Sequence, residues 1–314
     1  MRCTLQYIPL LEDKMRTWLK EQRVGFAVRT MAEFKRALNL GVNLVEIKLD
    51  RFAKDGHPLY FYERGVFRPN QKVLGLLAYV ARQQDIIVQL HLPIEDGINL
   101  EREAGINIGV PEHHQVALDR FIFLEEIFRQ HHLGKVITMH PLPFAIKGKE
   151  LIQEKTALAG MREFFEKLDA IRLRDRHRTL IGLENQPDPK KQAACLGYLP
   201  SHFREALKNT RTIGLTVDTG HRRLTKDFTV SGFLQLGLPF VNFHFHGNDG
   251  EFNAENYDDD QHQFPNTVNV KGYRNYLRYF RRHRPPIVLE ISHMERYEDA
   301  ELKQFLEKFG REIA

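Results

Sequence analysis

The sequence predicts a single (β/α)8 barrel over residues 23–314, preceded by an extension at residues 1–22. Three observations predict it. A short β-rich run, a loop and an amphipathic stretch recur along the chain, and the pattern repeats eight times. No Gly/Ser/Pro-rich linker, low-complexity tract or compositional shift divides the 314 residues. The long loops all follow strand candidates, which in a barrel places them on the C-terminal face, where such folds carry their chemistry. Eight alternating units favour a closed barrel over an open doubly wound sheet, although the count alone leaves both available.

The first strand is expected over Val24–Val28 and its helix over Met31–Leu40, where Met31, Phe34 and Leu38 share one face at core spacing. Leu44–Leu49 follows, then a loop over Asp50–Asn70 and a helix over Gln71–Gln83. The third unit is Ile86–His91, a loop over Leu92–Val110 and a helix over Glu112–His131. Lys135–His140 precedes a helix over Glu150–Arg172. Thr179–Glu184 leads through Gln186–Gly197 into Pro200–Lys208, and Thr212–Asp218 into Leu224–Gln235. Phe240–His246, the loop Gly247–Val270 and a helix over Lys271–His283 make the seventh unit. Pro286–Glu290 and Asp299–Phe309 close the set. Leu10 to Gln22 suit a helix that closes the bottom of the barrel or packs outside it.

The hydrophobic share of 42% and charged share of 28% are those of a soluble protein with an adequate core. Glu12, Asp13 and Lys14 interrupt the start of the chain, so no signal peptide is expected, and no apolar run has membrane-spanning length. Cys3 and Cys195 are too few for a disulfide framework or a thiolate zinc site. A cytoplasmic location is expected. The net charge of +5 permits an anionic partner. The densest basic run, Tyr273 to Arg284, reads at helical spacing as an apolar face of Tyr273, Leu277 and Phe280 flanked by solvated arginines. His113, His114, His131 and His132, on or beside a helix, read as surface residues, and His293 as solvent-facing or supporting.

The strand ends carry the chemistry. Strands three to eight terminate in His91, His140, Glu184, Asp218, His246 and Glu290, six successive residues able to bind metal. Strand carboxyl ends converge on one mouth. One such residue would more often be a hydrogen-bonded structural group. Six together bring carboxylates close enough to repel unless cations or protons neutralise them. Imidazoles and carboxylates without thiolates suit Zn²⁺, Mn²⁺ or Fe²⁺. His221, three residues past Asp218, extends the set. Asp260 and His262 are spaced for chelation, although by residue type Asp260 belongs to the acidic run Asp258-Asp259-Asp260.

Leu-Glu-Asn on strand five, Val-Asp-Thr-Gly-His on strand six and His-Gly-Asn-Asp on strand seven resemble motifs of the xylose isomerase-like barrel superfamily. Within it the chain resembles the endonuclease IV branch of apurinic/apyrimidinic endonucleases over residues 86–291. His91 in His-Leu-Pro-Ile-Glu-Asp-Gly-Ile-Asn-Leu and His140 in Met-His-Pro are similar to that branch's strand-three and strand-four histidines. The resemblance implies three divalent ions, zinc in the first instance. His91, His140 and a bridging Glu184 would hold one. Glu184, Asp218, His246 and Glu290 would hold the second, and His221, Asp260 and His262 the third. It implies a phosphodiesterase acting on DNA that contains abasic sites, with Glu184 as the central catalytic residue. The branch's strand-one Gly-x-His-Val-Ser is absent, strand one being Val24-Gly-Phe-Ala-Val28, and Asn266-Thr-Val268 replaces the Gly-x-Gly after the last loop histidine. Glu46, in Val-Glu-Ile of strand two, looks more like the sugar isomerase branch. The alternative is therefore a one-metal isomerase or epimerase of a small, phosphorylated sugar, built on Glu184, Asp218, His246 and Glu290. His244, which shares a face with His246, could contact substrate in either case.

Overall fold

The computed structural model describes residues 22–92, 107–134, 136–141, 153–177, 179–187, 196–225, 232–233, 235–249 and 261–314. Asp260, Cys3, Cys195 and nearly all of the 1–22 extension lie outside the described residues.

In chain order the elements are β1 (Val24–Val28), α1 (Met31–Asn39), β2 (Leu44–Lys48), α2 (Leu49–Lys54), β3 (Tyr60–Glu63), β4 (Val66–Pro69), α3 (Gln71–Gln84) and β5 (Ile87–His91). Then come α4 (His114–His131), β6 (Val136–Met139), α5 (Glu154–Asp175), β7 (Leu180–Glu184) and α6 (Pro200–Ala206). The chain ends with β8 (Ile213–Asp218), α7 (Thr219–Leu224), β9 (Phe240–His244), α8 (Tyr273–His283), β10 (Ile287–Leu289) and α9 (Asp299–Ile313). Eight parallel strands close into a barrel in the order β1-β10-β9-β8-β7-β6-β5-β2, while β3 and β4 pair separately as an antiparallel hairpin. This is the (β/α)8 TIM barrel that the alternation predicts.

The helices seat on the barrel as their apolar spacing requires. Met31, Phe34 and Ala37 are the buried face of α1, and Thr30 caps its start by accepting the Glu33 N–H at 3.1 Å. In α8, Tyr273, Tyr276, Leu277 and Phe280 are buried while Arg274, Arg278, Arg281 and Arg282 are exposed, which makes the basic run a solvated face. A buried ion pair, Arg172 Nε to Glu125 Oε1 at 2.8 Å, ties α5 to α4, and the same guanidinium donates to the Thr212 carbonyl at 2.8 Å.

Inside the barrel, side chains of one parity point to the axis and build layers. Leu44, Glu46 and Lys48 pair with Ile87, Gln89 and His91, so strand two contributes at the same heights as strand three. The middle layer is polar. Asn242 Nδ2 donates to Glu46 Oε2 at 2.9 Å, Thr138 Oγ1 donates to the same oxygen at 3.2 Å, and Thr138 meets Thr216 at 3.2 Å. Gly182 makes room for this floor, since a Cβ there would lie 2.1 Å from Thr216 Oγ1.

Three expectations need correction. The Asp50–Asn70 segment holds α2 and the β3–β4 hairpin rather than loop throughout. A short helix, α7, precedes the expected Leu224–Gln235 segment and ends where that was to begin; Asp218 starts it at Thr219 by accepting the His221 N–H at 2.7 Å. Within the expected Leu224–Gln235 helix, residues 226–231 and 234 lie outside the described residues. His114 is buried, with Nε2 3.0 Å from the Ile108 carbonyl and its ring against Phe164. His293 is exposed and pairs with Glu295 at 2.9 Å.

Candidate metal centre

The layer above the polar floor is titratable on most strands. His91 and Glu184 end β5 and β7, Asp218 ends β8, His140 and Glu290 follow β6 and β10 directly, and His246 lies two residues beyond β9. All are buried, with Glu184, Asp218 and His246 at 0% exposure.

His91 Nε2, His140 Nε2 and Glu184 Oε2 form a near-equilateral triangle of 3.0, 3.0 and 3.2 Å. Donor atoms bonded to one tetrahedral ion at ~2.0–2.1 Å stand roughly 3.3 Å apart, so this triangle fits a metal. His91 Nδ1 lies 2.8 Å from the Leu92 carbonyl, which holds the proton on Nδ1 and leaves the Nε2 lone pair facing the triangle. Burial, outweighing the pull of Glu184, pushes His140 down to about 4, so its imidazole is neutral near pH 7 and able to ligate.

Glu184 presents its second oxygen to the other side of the mouth. Oε1 lies 3.0 Å from His244 Nδ1 and 3.6 Å from His221 Nδ1. Burial alone would raise Glu184, but the charge of His244 and hydrogen bonds from His140 and His244 hold its carboxyl well below the usual range. Asp218 Oδ1 is 2.9 Å from His246 Nε2. Asn185 fastens β7 to β8 here, donating to the Asp218 carbonyl at 2.9 Å and accepting the Asp218 N–H at 2.7 Å.

A third group joins at the loop side. His221, His246 and His262 each offer a ring nitrogen within 4.8 Å of the others. His221 Nδ1 lies 2.8 Å from the Asn185 carbonyl, an acceptor that commits Nδ1 to donating and turns Nε2 outward. His262 is brought in by a bridge between Gly247 and Gln263, with backbone bonds of 2.8 and 2.9 Å, and by Gln261 N–H donating to buried Asn248 Oδ1 at 2.6 Å. The His262 and His246 ring centroids are 4.1 Å apart. His262 itself has φ 45°, a left-handed conformation rare for a residue with a Cβ and one that concentrates at functional sites. Asp260, expected beside it, lies outside the described residues.

His244 ends β9, two residues before His246, and is fully buried. Its Nδ1 lies 3.0 Å from Glu184 Oε1 and 2.9 Å from Glu290 Oε2, and its Nε2 lies 2.8 Å from Glu46 Oε1. Burial opposes its charge, yet Glu184, Glu46 and Glu290 together raise it well above the usual imidazole range. Glu46, 0% exposed, is thus a floor residue beneath the centre. Lys48, which sequence reasoning passed over, ends β2 and hydrogen-bonds to Glu290. Strand alternation could have found it, since it lies two residues past Glu46.

Glu46, Glu184, Asp218 and Glu290 are no more than 3% exposed. Such a concentration of buried acid and imidazole, with donor atoms at ligand–ligand spacing, suits divalent cations.

No family model matches the sequence, and neither does any curated protein. Solved structures do match. A D-tagatose 3-epimerase-like protein aligns at TM-score 0.65 and 17% identity, covering 93% of this chain and 100% of that one. The TTHB071 protein from Thermus thermophilus, soaked with ZnCl2, aligns at 0.58 and 21%, covering 92% and 98%. A xylose isomerase domain containing protein from Salmonella typhimurium aligns at 0.55 and 11%, covering 93% and 97%. The chain therefore shares the TIM-barrel fold of these structures.

Proposed function

We propose that the chain is a metal-dependent phosphodiesterase that cleaves DNA at abasic sites, using three divalent ions, with zinc the first choice and manganese or iron the alternatives. The His91–His140–Glu184 triangle carries this reading, because a one-metal sugar site leaves both histidines without a task. In it, His91 and His140 hold one ion with Glu184 as bridge. Glu184, Asp218, His246 and Glu290 hold the second, and His221, His262 and Asp260 the third. Ions so held supply Lewis acidity toward a phosphate and lower the pKa of water.

The protein's own groups organise the site. Glu184 divides its two oxygens between the two sides of the mouth and acts as the orienting carboxylate. His140 stays neutral by burial and takes no proton near pH 7. Asn185 fixes the relative height of Glu184 and Asp218. His244 holds Glu184 and Glu290 in register from below. An abasic nucleotide costs less to unstack into such a mouth than an intact one.

A sugar isomerase or epimerase is the second reading. Glu184 and Glu290 are brought together on one imidazole at 3.0 and 2.9 Å, an arrangement that also suits two carboxylates moving a proton. The D-tagatose 3-epimerase-like neighbour agrees with it. The test is incubation of the metal-loaded protein with a duplex bearing one abasic site. Nicking at the lesion, together with more than two metal equivalents per chain, supports the phosphodiesterase. One equivalent and no nicking at any metal loading refutes it in favour of the isomerase.

A further inference from the structure

Lys48 occupies on strand two the layer position that His91 fills on the adjacent strand, with which it pairs directly. Glu46 points to the barrel axis and touches Asn242, so Lys48, two residues on, points the same way and one level nearer solvent. Its side chain keeps 14% of its surface exposed at the mouth, against 3% for its partner Glu290. An ammonium has three donors, and among the described residues Lys48 hydrogen-bonds to Glu290. Arg29, just past β1 on the neighbouring strand, adds a second cation on this side, with Nη2 donating to Ser292 Oγ at 3.1 Å. The Ser292 N–H in turn donates to the His262 carbonyl at 3.1 Å, so this basic margin adjoins the third group of candidate ligands.

A lysine that served only to neutralise Glu290 would be redundant once a cation bound that carboxylate. With a metal on Glu290, the partly exposed ammonium would be left beside the ions with donors to spare for a ligand. We infer that Lys48 is a substrate-binding residue that hydrogen-bonds a phosphate oxygen of the substrate at the metal-lined mouth, on the side of strands one, two and eight. The inference rests on the reading of the mouth as a metal centre, and it holds for a phosphodiester or a sugar phosphate alike.

The experiment is calorimetric titration of the metal-loaded protein with methyl phosphate, standing for a sugar phosphate, and with dimethyl phosphate, standing for a nucleic-acid backbone. Loss of one charge-assisted hydrogen bond should weaken the tighter-bound anion by about 10-fold or more in K48M, with K48R much closer to wild type and metal content equal in all three. Whichever anion binds tighter identifies the source of the phosphate. Wild-type affinity for both anions in K48M, or no binding of either by the wild type, overturns the inference. As a second measurement independent of the variant's folding, acylation of Lys48 by acetic anhydride in the wild type, read by mass spectrometry, should slow as the bound anion is added. No protection at saturation also overturns it. Lysine-dependent anion binding without nicking of abasic DNA would sink the endonuclease reading and leave this one standing.

Discussion

Gly220, in α7, lies against the His246 ring, and an alanine there should dismantle the centre without removing a ligand. A Cβ on Gly220 would fall 2.0 Å from His246 Cε1, 2.3 Å from Nδ1 and 2.5 Å from Nε2. Gly220 is not in the left-handed region, so the substitution meets no backbone penalty and its whole cost is steric. Ordinary contact needs more than 3.4 Å, so ring or helix must yield by more than about 1 Å. Metal–ligand distances tolerate about ±0.2 Å, and His246 is fully buried between Asp218 and His262. G220A should therefore bind metal at least ~10–100-fold more weakly and lose about 1–3 kcal/mol of stability without metal. The assay is metal titration together with urea unfolding of wild type, G220A, H246A and the double variant, all metal-stripped. Once the ring is gone the methyl has room, so G220A should cost little in the H246A background, giving a coupling of about 1–3 kcal/mol. Additive losses, or wild-type metal affinity in G220A, would refute the placement of His246.

Two further outcomes are expected. H262A should lose one metal equivalent and most of the phosphodiesterase activity; unchanged metal content, measured by elemental analysis, would show the loop ligands to be wrongly assigned. In metal-stripped protein, His140 should make stability fall on acidification. Its folded value near 4 lies below the ordinary 6.5, so between those pH values the unfolded chain holds more protons and the folded state is disfavoured. The loss, up to about 3 kcal/mol, should be complete near pH 4 and absent above pH 7. Urea midpoints of wild type and H140Q at pH 7.5 and 4.5 measure it, and an equal fall in both proteins would contradict the assignment.

What the sequence made legible was parity and position. Alternation with a period of two tells which residues of a strand share a face, and the structure brings His91 and Glu290 near Glu184, with Asp218 and His221 in a second group on the same carboxylate. Parity does not tell depth, and His244 illustrates the difference: it shares a face with His246 but lies two residues lower, among carboxylates instead of at the opening. The β3–β4 hairpin escaped notice because its turn is Arg64-Gly65, both at positive φ, where Asn-Gly is the usual signal for that backbone. The short helix α7 escaped because Asp218 has two tasks. As a candidate ligand it ends a strand, while its Oδ1 caps the next helix and so sets the position of His221.

That double use bears on how the centre and the fold depend on one another. Glu46, Glu184, Asp218 and Glu290 form a buried acidic layer, and a desolvated carboxylate is costly wherever its counter-charge is missing. The chain supplies part of the counter-charge itself, through His244 from below and Lys48 from the side. Each answers an acid on the side away from the opening or at its margin. His244 meets Glu184 at Oε1, whereas His91 and His140 converge on Oε2, and His221, His246 and His262 form a further group. The floor is thus neutralised by protein and the opening is left to cations from solution. Binding there would lower the free energy of the folded state alone, since the unfolded chain has no such convergence of donors. The left-handed backbone at His262, φ 45°, is held by the Gly247–Gln263 bridge and by the Ser292 N–H on its carbonyl, which together carry its ring to His246.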